Sequence, residues 1–267
     1  MAQRQPELHT IERVSTPWVE YGRPVTLEMV VVRPPHAAPP FPTVVFHHGS
    51  TGSGSDPRLF TQTWTSPAVA RHFTARGWQV LFPQRRGRGT SDGLYDEGFD
   101  ADRSRYSCRA ERSLPGLQRA LADLDAVTAH ICGRPDVDLR RLLVGGQSRG
   151  GVLAVVHAGH RPELFRGVLN FVGGWLGERC QDAARVNPAL FGRGAAFPRP
   201  MLWLYGDGDP YYGLPHSRAN FAAFQAAGGQ GAFEAFTPPA GMNGHMVHAA
   251  PALWQGALDA YLEPIGR

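Results

Sequence analysis

The sequence predicts an α/β fold: one doubly wound, mostly parallel sheet with helices on both faces. Three observations predict it. Short apolar runs of strand length alternate along the chain with amphipathic stretches of helix length. The 267 residues suit one large domain that can bury a full hydrophobic core, and the apolar fraction of 42% is ordinary for a globular protein. No internal repeat and no low-complexity segment interrupts the alternation. The whole chain, 1–267, is therefore read as one domain.

The elements follow in order. Leu27 to Val32 is the first clear strand. The Pro-rich stretch from Arg33 to Pro42 is a connection, because each proline fixes φ and removes a donor. Thr43 to His47 is a short buried strand, and it runs into a glycine-rich turn, His48-Gly49-Ser50-Thr51-Gly52-Ser53-Gly54. Ser66 to Arg76 reads as a helix with Pro67 in its first turn. Gly77 stops it, and Trp78 to Phe82 is the next strand. Gly87 to Ser107 is polar and irregular. Leu117, Leu121, Leu124, Val127, Thr128 and Ile131 share one face at helical spacing. Leu142 to Val144 is a buried strand, followed by a helix from Arg149 to Ala158. Gly167 to Val172 is a strand, Gly173 to Pro200 a long non-strand segment, and Met201 to Tyr205 returns to the sheet. Phe221 to Ala227 reads as helix, Phe233 to Phe236 as strand and Pro251 to Leu262 as the last helix.

Composition narrows the function classes. The net charge is +4, and all 27 basic residues are arginine. Arginine in place of lysine, with much alanine, proline and glycine, matches a GC-rich genome better than a nucleic-acid surface, which needs clustered basic residues with aromatics between them. The densest cluster, Arg85, Arg86 and Arg88, is broken by glycine. No apolar run is long enough to span a membrane. The N-terminal stretch lacks the apolar core of a secretory leader, so a cytoplasmic location is expected. Cys108, Cys132 and Cys180 are too few and too scattered for a disulfide framework or a metal site. They read as buried or half-buried thiols, with one disulfide between two of them left open. The pair His47-His48 lacks a second ligand group at metal-binding spacing, and no metal is expected.

The chemistry concentrates at Gly146-Gln147-Ser148-Arg149-Gly150. It lies where a buried strand turns into a helix. A turn that sharp needs small residues two before and two after its apex, and it holds the apex side chain exposed at the carboxyl edge of the sheet. The helix N-terminus then aims free N–H groups at a reacting carbonyl. Serine is a poor nucleophile without a base. Downstream, Gly206-Asp207-Gly208-Asp209-Pro210 follows a strand, so its acids lie on the same edge. Asp209 has room to turn toward a histidine, while Asp207 is placed to brace the loop. Gly241-Met242-Asn243-Gly244-His245 follows the Phe233–Phe236 strand, which makes His245 the candidate base and His248 the alternative. In the expected reaction His245 takes the Ser148 proton as Ser148 attacks an acyl carbon, and Asp209 orients the imidazole. The oxyanion would be held by the backbone N–H groups of Arg149 and Ser50.

These residues and their order resemble the α/β-hydrolase superfamily, and within it the dienelactone hydrolase-like and prolyl-oligopeptidase-like branch. The resemblance covers roughly Val25 to Leu262 and rests on His48-Gly49, the turn at Ser148, Gly206-x-x-Asp209 and Gly244-His245. A fifth match, Arg86-Gly87-Arg88-Gly89-Thr90-Ser91-Asp92-Gly93, is similar to a loop of these enzymes whose leading acid is here Gln84. The ion pair of that acid is expected to be absent, and the loop is read as structural. The resemblance implies hydrolysis of an ester, thioester or amide without a cofactor. The segment 173–200 after the sixth strand is long enough for a short lid only. Trp175, Leu176, Phe191, Tyr211 and Tyr212 are candidates to line the substrate pocket. The expected activity is cleavage of a small-molecule carboxylic ester. A peptidase or amidase, a thioesterase, an acyltransferase and a non-catalytic protein of this fold are the alternatives. Without the additional propeller or jelly roll of the peptidase relatives, the peptidase reading is the weaker one.

Overall fold

The computed structural model of the chain describes residues 9–266. Its strands are β1 (His9–Glu20), β2 (Arg23–Val32), β3 (Phe41–His47), β4 (Gln79–Pro83), β5 (Val137–Gln147), β6 (Gly167–Phe171), β7 (Met201–Gly206) and β8 (Gly231–Phe236). They form one sheet in the order β1-β2-β4-β3-β5-β6-β7-β8. β4, β3 and β5 to β8 run parallel, whereas β1 and β2 pair antiparallel at one edge. The helices are α1 (Pro67–Thr74), α2 (Ala110–Cys132), α3 (Arg149–His160), α4 (Ala183–Arg193), α5 (Leu214–Ala226) and α6 (Pro251–Gly266). The doubly wound α/β architecture expected from the alternation is present.

The central strands are covered on both faces, so they read as continuous apolar runs rather than alternating ones. Val44, Phe46, Leu81, Phe82, Leu143, Val144, Leu169 and Leu204 are all buried in one core. α3 is buried from Arg149 through Gly159. It lies inside the molecule, and apart from Arg149 and the histidines His157 and His160 its residues are apolar or small.

Three differences from the sequence reading have a physical reason. β1 was not expected, because its residues are mostly exposed and only Val14 is fully covered. Its position is held by the ladder to β2 and by ion pairs, with Glu12 against Arg33 and Arg134 and Glu20 against Arg119 and Arg86. α2 starts at Ala110 rather than Leu117. Pro115 and Gly116 hide its start, yet Gly116 is required: a Cβ there would lie 2.2 Å from the backbone of Glu97. α5 starts at Leu214 rather than Phe221. Its buried face carries Ser217 and Asn220 as well as Phe224, so hydrophobic periodicity misses its first turns.

The cysteines also differ from the favoured reading. Cys108 and Cys180 form a disulfide, and Cys132 is free and exposed. The disulfide joins the chain ahead of α2 to the segment between β6 and β7. That segment contains α4 and a short 3-10 turn. The end of α4 is seated on α3: a Cβ on Gly159 would lie 2.2 Å from the Arg193 carbonyl. No helix among the described residues is long and apolar enough to cross a membrane.

Candidate active site

The strand order decides where the site forms. β3 lies between β4 and β5, so the chain leaves its carboxyl end toward one side and returns on the other. Ligands of open parallel sheets bind at such a switch point. His47 and Gly146 are register partners at the ends of β3 and β5. The glycine-rich turn after β3 and the Ser148 turn after β5 are therefore neighbours. A Cβ on Gly49 would lie 2.5 Å from the Gln147 Oε1 and 2.9 Å from the Ser148 Cβ.

Ser148 has φ 58° and ψ −124°, a conformation that costs roughly 1–3 kcal/mol for a residue with a Cβ. The surroundings over-determine it. Its N–H donates to the Phe171 carbonyl at 2.9 Å. Gly146 and Gly150 pass so closely that a Cβ on Gly146 would lie 2.4 Å from Gly150, and one on Gly150 would lie 2.2 Å from the His47 carbonyl. These are the two positions where the turn demands small residues.

Two backbone N–H groups beside this turn are the candidate oxyanion donors. Arg149 is the first residue of α3, so its N–H has no intrahelical acceptor. In the neighbouring loop the groups around Ser50 are already engaged. The His48 Nε2 accepts from the Arg85 N–H at 3.1 Å, which leaves Nδ1–H to donate to the Gly49 carbonyl at 2.7 Å. Both ring nitrogens are thus occupied, and burial holds the imidazole neutral, its pKa well below the usual value. The Thr51 N–H donates to the Tyr106 hydroxyl at 3.1 Å. The Ser50 N–H donates to no group among the described residues.

Asp209 and His245 follow the adjacent strands β7 and β8. Their loops meet backbone to backbone, because a Cβ on Gly244 would lie 2.2 Å from the Gly206 carbonyl. Asp209 is buried, while Asp207 is exposed and accepts from the Gly208 N–H. The Asp209 Oδ1 accepts from the N–H groups of Tyr211 and Tyr212 at 2.8 and 3.1 Å. Its Oδ2 lies 2.9 Å from the His245 Nδ1. His245 is fixed further from the nucleophile side, where the Gln147 Nε2 donates to its carbonyl at 3.3 Å. His248, the alternative base, is buried elsewhere. Its Nδ1 lies 3.2 Å from the Ser66 Oγ and its ring packs on Trp64. Burial lowers its pKa to about 4. Among the described residues no hydrogen bond joins Ser148 to His245. The Tyr212 phenol lies close to the Ser148 side chain. Catalytic hydrogen bonds of empty sites are often loose and tighten around substrate.

The five pocket candidates separate. Tyr211 and Tyr212 stand 4.7 and 5.8 Å from the His245 ring, centroid to centroid. Tyr212 also donates to the Gly174 carbonyl at 2.8 Å. Trp175 and Leu176 are buried, and both N–H groups are held by the Asn187 Oδ1. The Trp175 ring faces the Arg149 guanidinium at 4.3 Å. Phe191 is fully buried against Trp203 at 4.6 Å. It belongs to the core, and packing alone accounts for it.

Sequence reasoning missed a buried ionic network beside the turn. Gln84, which carries no charge, bridges the Trp64 N–H and carbonyl at 2.8 Å each. The next two residues do pair. The Arg85 Nε lies 2.6 Å from the Glu97 Oε1 and the Arg86 Nε 2.5 Å from the Asp123 Oδ1. Acids so distant in sequence, on an irregular stretch and in the middle of a helix, leave no local pattern to find.

Comparison with known proteins agrees with the fold. The family model described as serine aminopeptidase, S33, matches residues 58–186, a stretch that includes Ser148 but neither Asp209 nor His245. No curated protein matches the chain. Among solved structures, one described as a dienelactone hydrolase from Klebsiella pneumoniae superposes with a TM-score of 0.57 at 19% identity, over 96% of this chain and 99% of that one. Est1E from Butyrivibrio proteoclasticus with ferulic acid bound gives 0.65 at 14% identity, over 96% and 100%. The acylaminoacyl peptidase of Pyrococcus horikoshii gives 0.64 at 16% identity, over 99% of this chain but 42% of that one. With its sheet order, its serine turn at the switch point and these matches, the chain has the α/β-hydrolase fold, and over residues 58–186 it is similar to the family described as serine aminopeptidase, S33.

Proposed function

We propose that the protein is a serine hydrolase that cleaves a carboxylic ester of a small molecule through an acyl-enzyme on Ser148. The observation that carries this reading is the strained Ser148 turn facing a loop on which the buried Asp209 carboxylate holds the His245 Nδ1 at 2.9 Å. With Nδ1–H donated to Asp209, the His245 Nε2 is the basic nitrogen. It takes the proton from Ser148 as the oxygen attacks the acyl carbon, and later returns it to the departing alcohol. The oxyanion sits between the N–H groups of Ser50 and Arg149, and one such donor typically lowers the barrier by about 3–4 kcal/mol. Water then hydrolyses the acyl-serine. Tyr211 and Tyr212 border the base and form one wall of the pocket, and the segment 173–200 serves as its short lid.

Several structural relatives are esterases, and this favours an ester over an amide substrate. A thioesterase or amidase would use the same triad, and an acyltransferase the same acyl-enzyme. The deciding experiment is a panel of ester, thioester and aminoacyl-amide substrates assayed with the wild type and Ser148→Ala. Fastest turnover of short esters, abolished in the variant, is expected. Equal ester turnover by both proteins would overturn the reading. As for location, disulfides persist in oxidising surroundings, so Cys108–Cys180 weighs against the cytoplasmic expectation.

A further inference from the structure

Two buried arginines meet at one carboxylate next to the serine turn. Arg85, Glu97 and Arg149 are each almost wholly buried. The Glu97 Oε1 accepts from the Arg85 Nε at 2.6 Å. On its other side the Arg149 Nη1 donates to the Glu97 carbonyl at 2.8 Å and lies 3.5 Å from Oε2. Arg85 spends its two remaining nitrogens on the loop after β3. Nη1 donates to the His48 carbonyl at 2.8 Å and Nη2 to the Gly49 carbonyl at 3.2 Å. Arg149 donates from Nε to the Trp175 carbonyl at 3.2 Å, and its guanidinium lies between the rings of Tyr106 at 4.0 Å and Trp175 at 4.3 Å. Tyr106 in turn binds the Thr51 N–H.

The network therefore reaches both sides of the oxyanion position. Arg85 pulls the carbonyls of residues 48 and 49 toward itself, which sets the orientation of the following Ser50 peptide. Arg149 anchors the first residue of α3, whose N–H is the second donor. Glu97 is itself seated, because its backbone lies against Gly116 of α2 with no space for a Cβ between them. Charged hydrogen bonds in such a dry setting are stiff and directional.

We infer that Arg85 and Glu97 are positioning residues that set the geometry of both oxyanion donors from one buried ion-pair network. The inference rests on the reading of Ser148 as nucleophile and of the Ser50 and Arg149 N–H groups as oxyanion donors. Neither residue touches the reacting atoms. Their loss therefore lowers the stabilisation of the tetrahedral state and leaves substrate binding in place.

The test uses Arg85→Lys and Glu97→Gln. The first keeps the charge beside Glu97 but cannot hold two carbonyls with one planar fork. A role limited to charge balance is thus preserved in it. Expected for both is a fall in kcat of about 10- to 100-fold, with KM changed less than about threefold, since losing one oxyanion donor outright costs about 10²–10³-fold. Affinity for a phenylboronic acid, which forms a tetrahedral adduct on serine, should weaken by the same factor as kcat/KM. Thermal unfolding confirms that each variant is folded. If Glu97→Gln does not fold, Arg85→Lys decides. Folded variants with unchanged kcat and boronate affinity overturn the positioning role. A wild type that neither turns over esters nor labels at Ser148 with a fluorophosphonate overturns the hydrolase reading beneath it, and the two failures are distinct.

Discussion

The nucleophile side of the site and the base side are built differently. Ser148 and the loop after β3 are held by backbone packed against backbone and by buried ions from three separate parts of the chain. Asp209 and His245 are held by short loops, joined by one carboxylate that accepts two backbone N–H groups and faces one imidazole. The difference suits the proposed reaction. In it Ser148 and the two N–H donors would keep fixed positions against a developing charge, because reorganisation there raises the barrier. The His245 ring would shift slightly as the proton moves, and a hydrogen-bonded tether allows that.

The comparison can be broken most directly at Ser148. Ser148→Ala should lower ester turnover by about 10⁴-fold or more while leaving the fold intact, and a fluorophosphonate should no longer label the protein. Labelling of another serine would move the site. On the base side, Asp209→Asn should cost about as much as a lost triad acid does, about 10⁴-fold in kcat, because it removes the charge that fixes the His245 tautomer. Asp207→Asn should leave kcat nearly unchanged, since Asp207 is exposed and only caps its own turn. The reverse ranking would reassign the acid.

Gly49→Ala probes the backbone packing of the nucleophile side. Its Cβ would collide with the Gln147 side chain and the Ser148 Cβ. The loop must give way, and since a misplacement of about 1 Å costs about 10²-fold in rate, a fall in kcat of up to about 10²-fold is expected. Unchanged kinetics would show that this side is more compliant than its contacts imply. A smaller, purely structural effect is expected at the disulfide. Closing a loop with a sequence separation of 72 stabilises by about 4 kcal/mol in the chain-entropy model. The double substitution Cys108→Ser and Cys180→Ser should lower the unfolding midpoint and retain turnover. An unchanged midpoint would contradict the cross-link.

Legibility in the sequence follows the same division. The serine turn, both loop residues and the acid–base order are local, and each is written as a short pattern with glycine where backbones cross. So are the central strands, because burial on both faces makes them apolar throughout. Arg85, Glu97, Asp123 and the side chain of Arg149 are different. Their meaning lies in partners brought together only by the fold, and a polar irregular stretch such as 84–109 gives no periodicity to read. β1 escaped for the opposite reason: its exposed face and its ion pairs leave no apolar alternation. Phe191 is a pocket candidate by its aromatic character, with core packing as the alternative, and α4 turns it onto Trp203.

The base side has a second buried group beyond Asp209. His248 lies three residues past the base, packed on Trp64 and facing Ser66, and burial lowers its pKa from 6.5 to about 4. In the unfolded chain the same imidazole takes a proton near pH 6.5. Between about pH 6.5 and 4 the unfolded state therefore holds more protons at this position, and stability falls as the pH falls, by about 1.4 kcal/mol per unit and about 3 kcal/mol in all. His47 and His48, also held neutral by burial, act in the same direction. Asp123 has the opposite sign, because burial lifts its pKa to about 6 and the folded state holds the extra proton. Comparing the wild type with His248→Gln cancels these shared contributions. Urea unfolding at pH 7, 6 and 5 should show the wild type losing stability faster than the variant by about 1.4 kcal/mol per unit below pH 6. Parallel curves would mean that His248 takes up its proton within the fold, and that the loop carrying His245 rests on Asp209, the Gln147 hydrogen bond and the glycine contact.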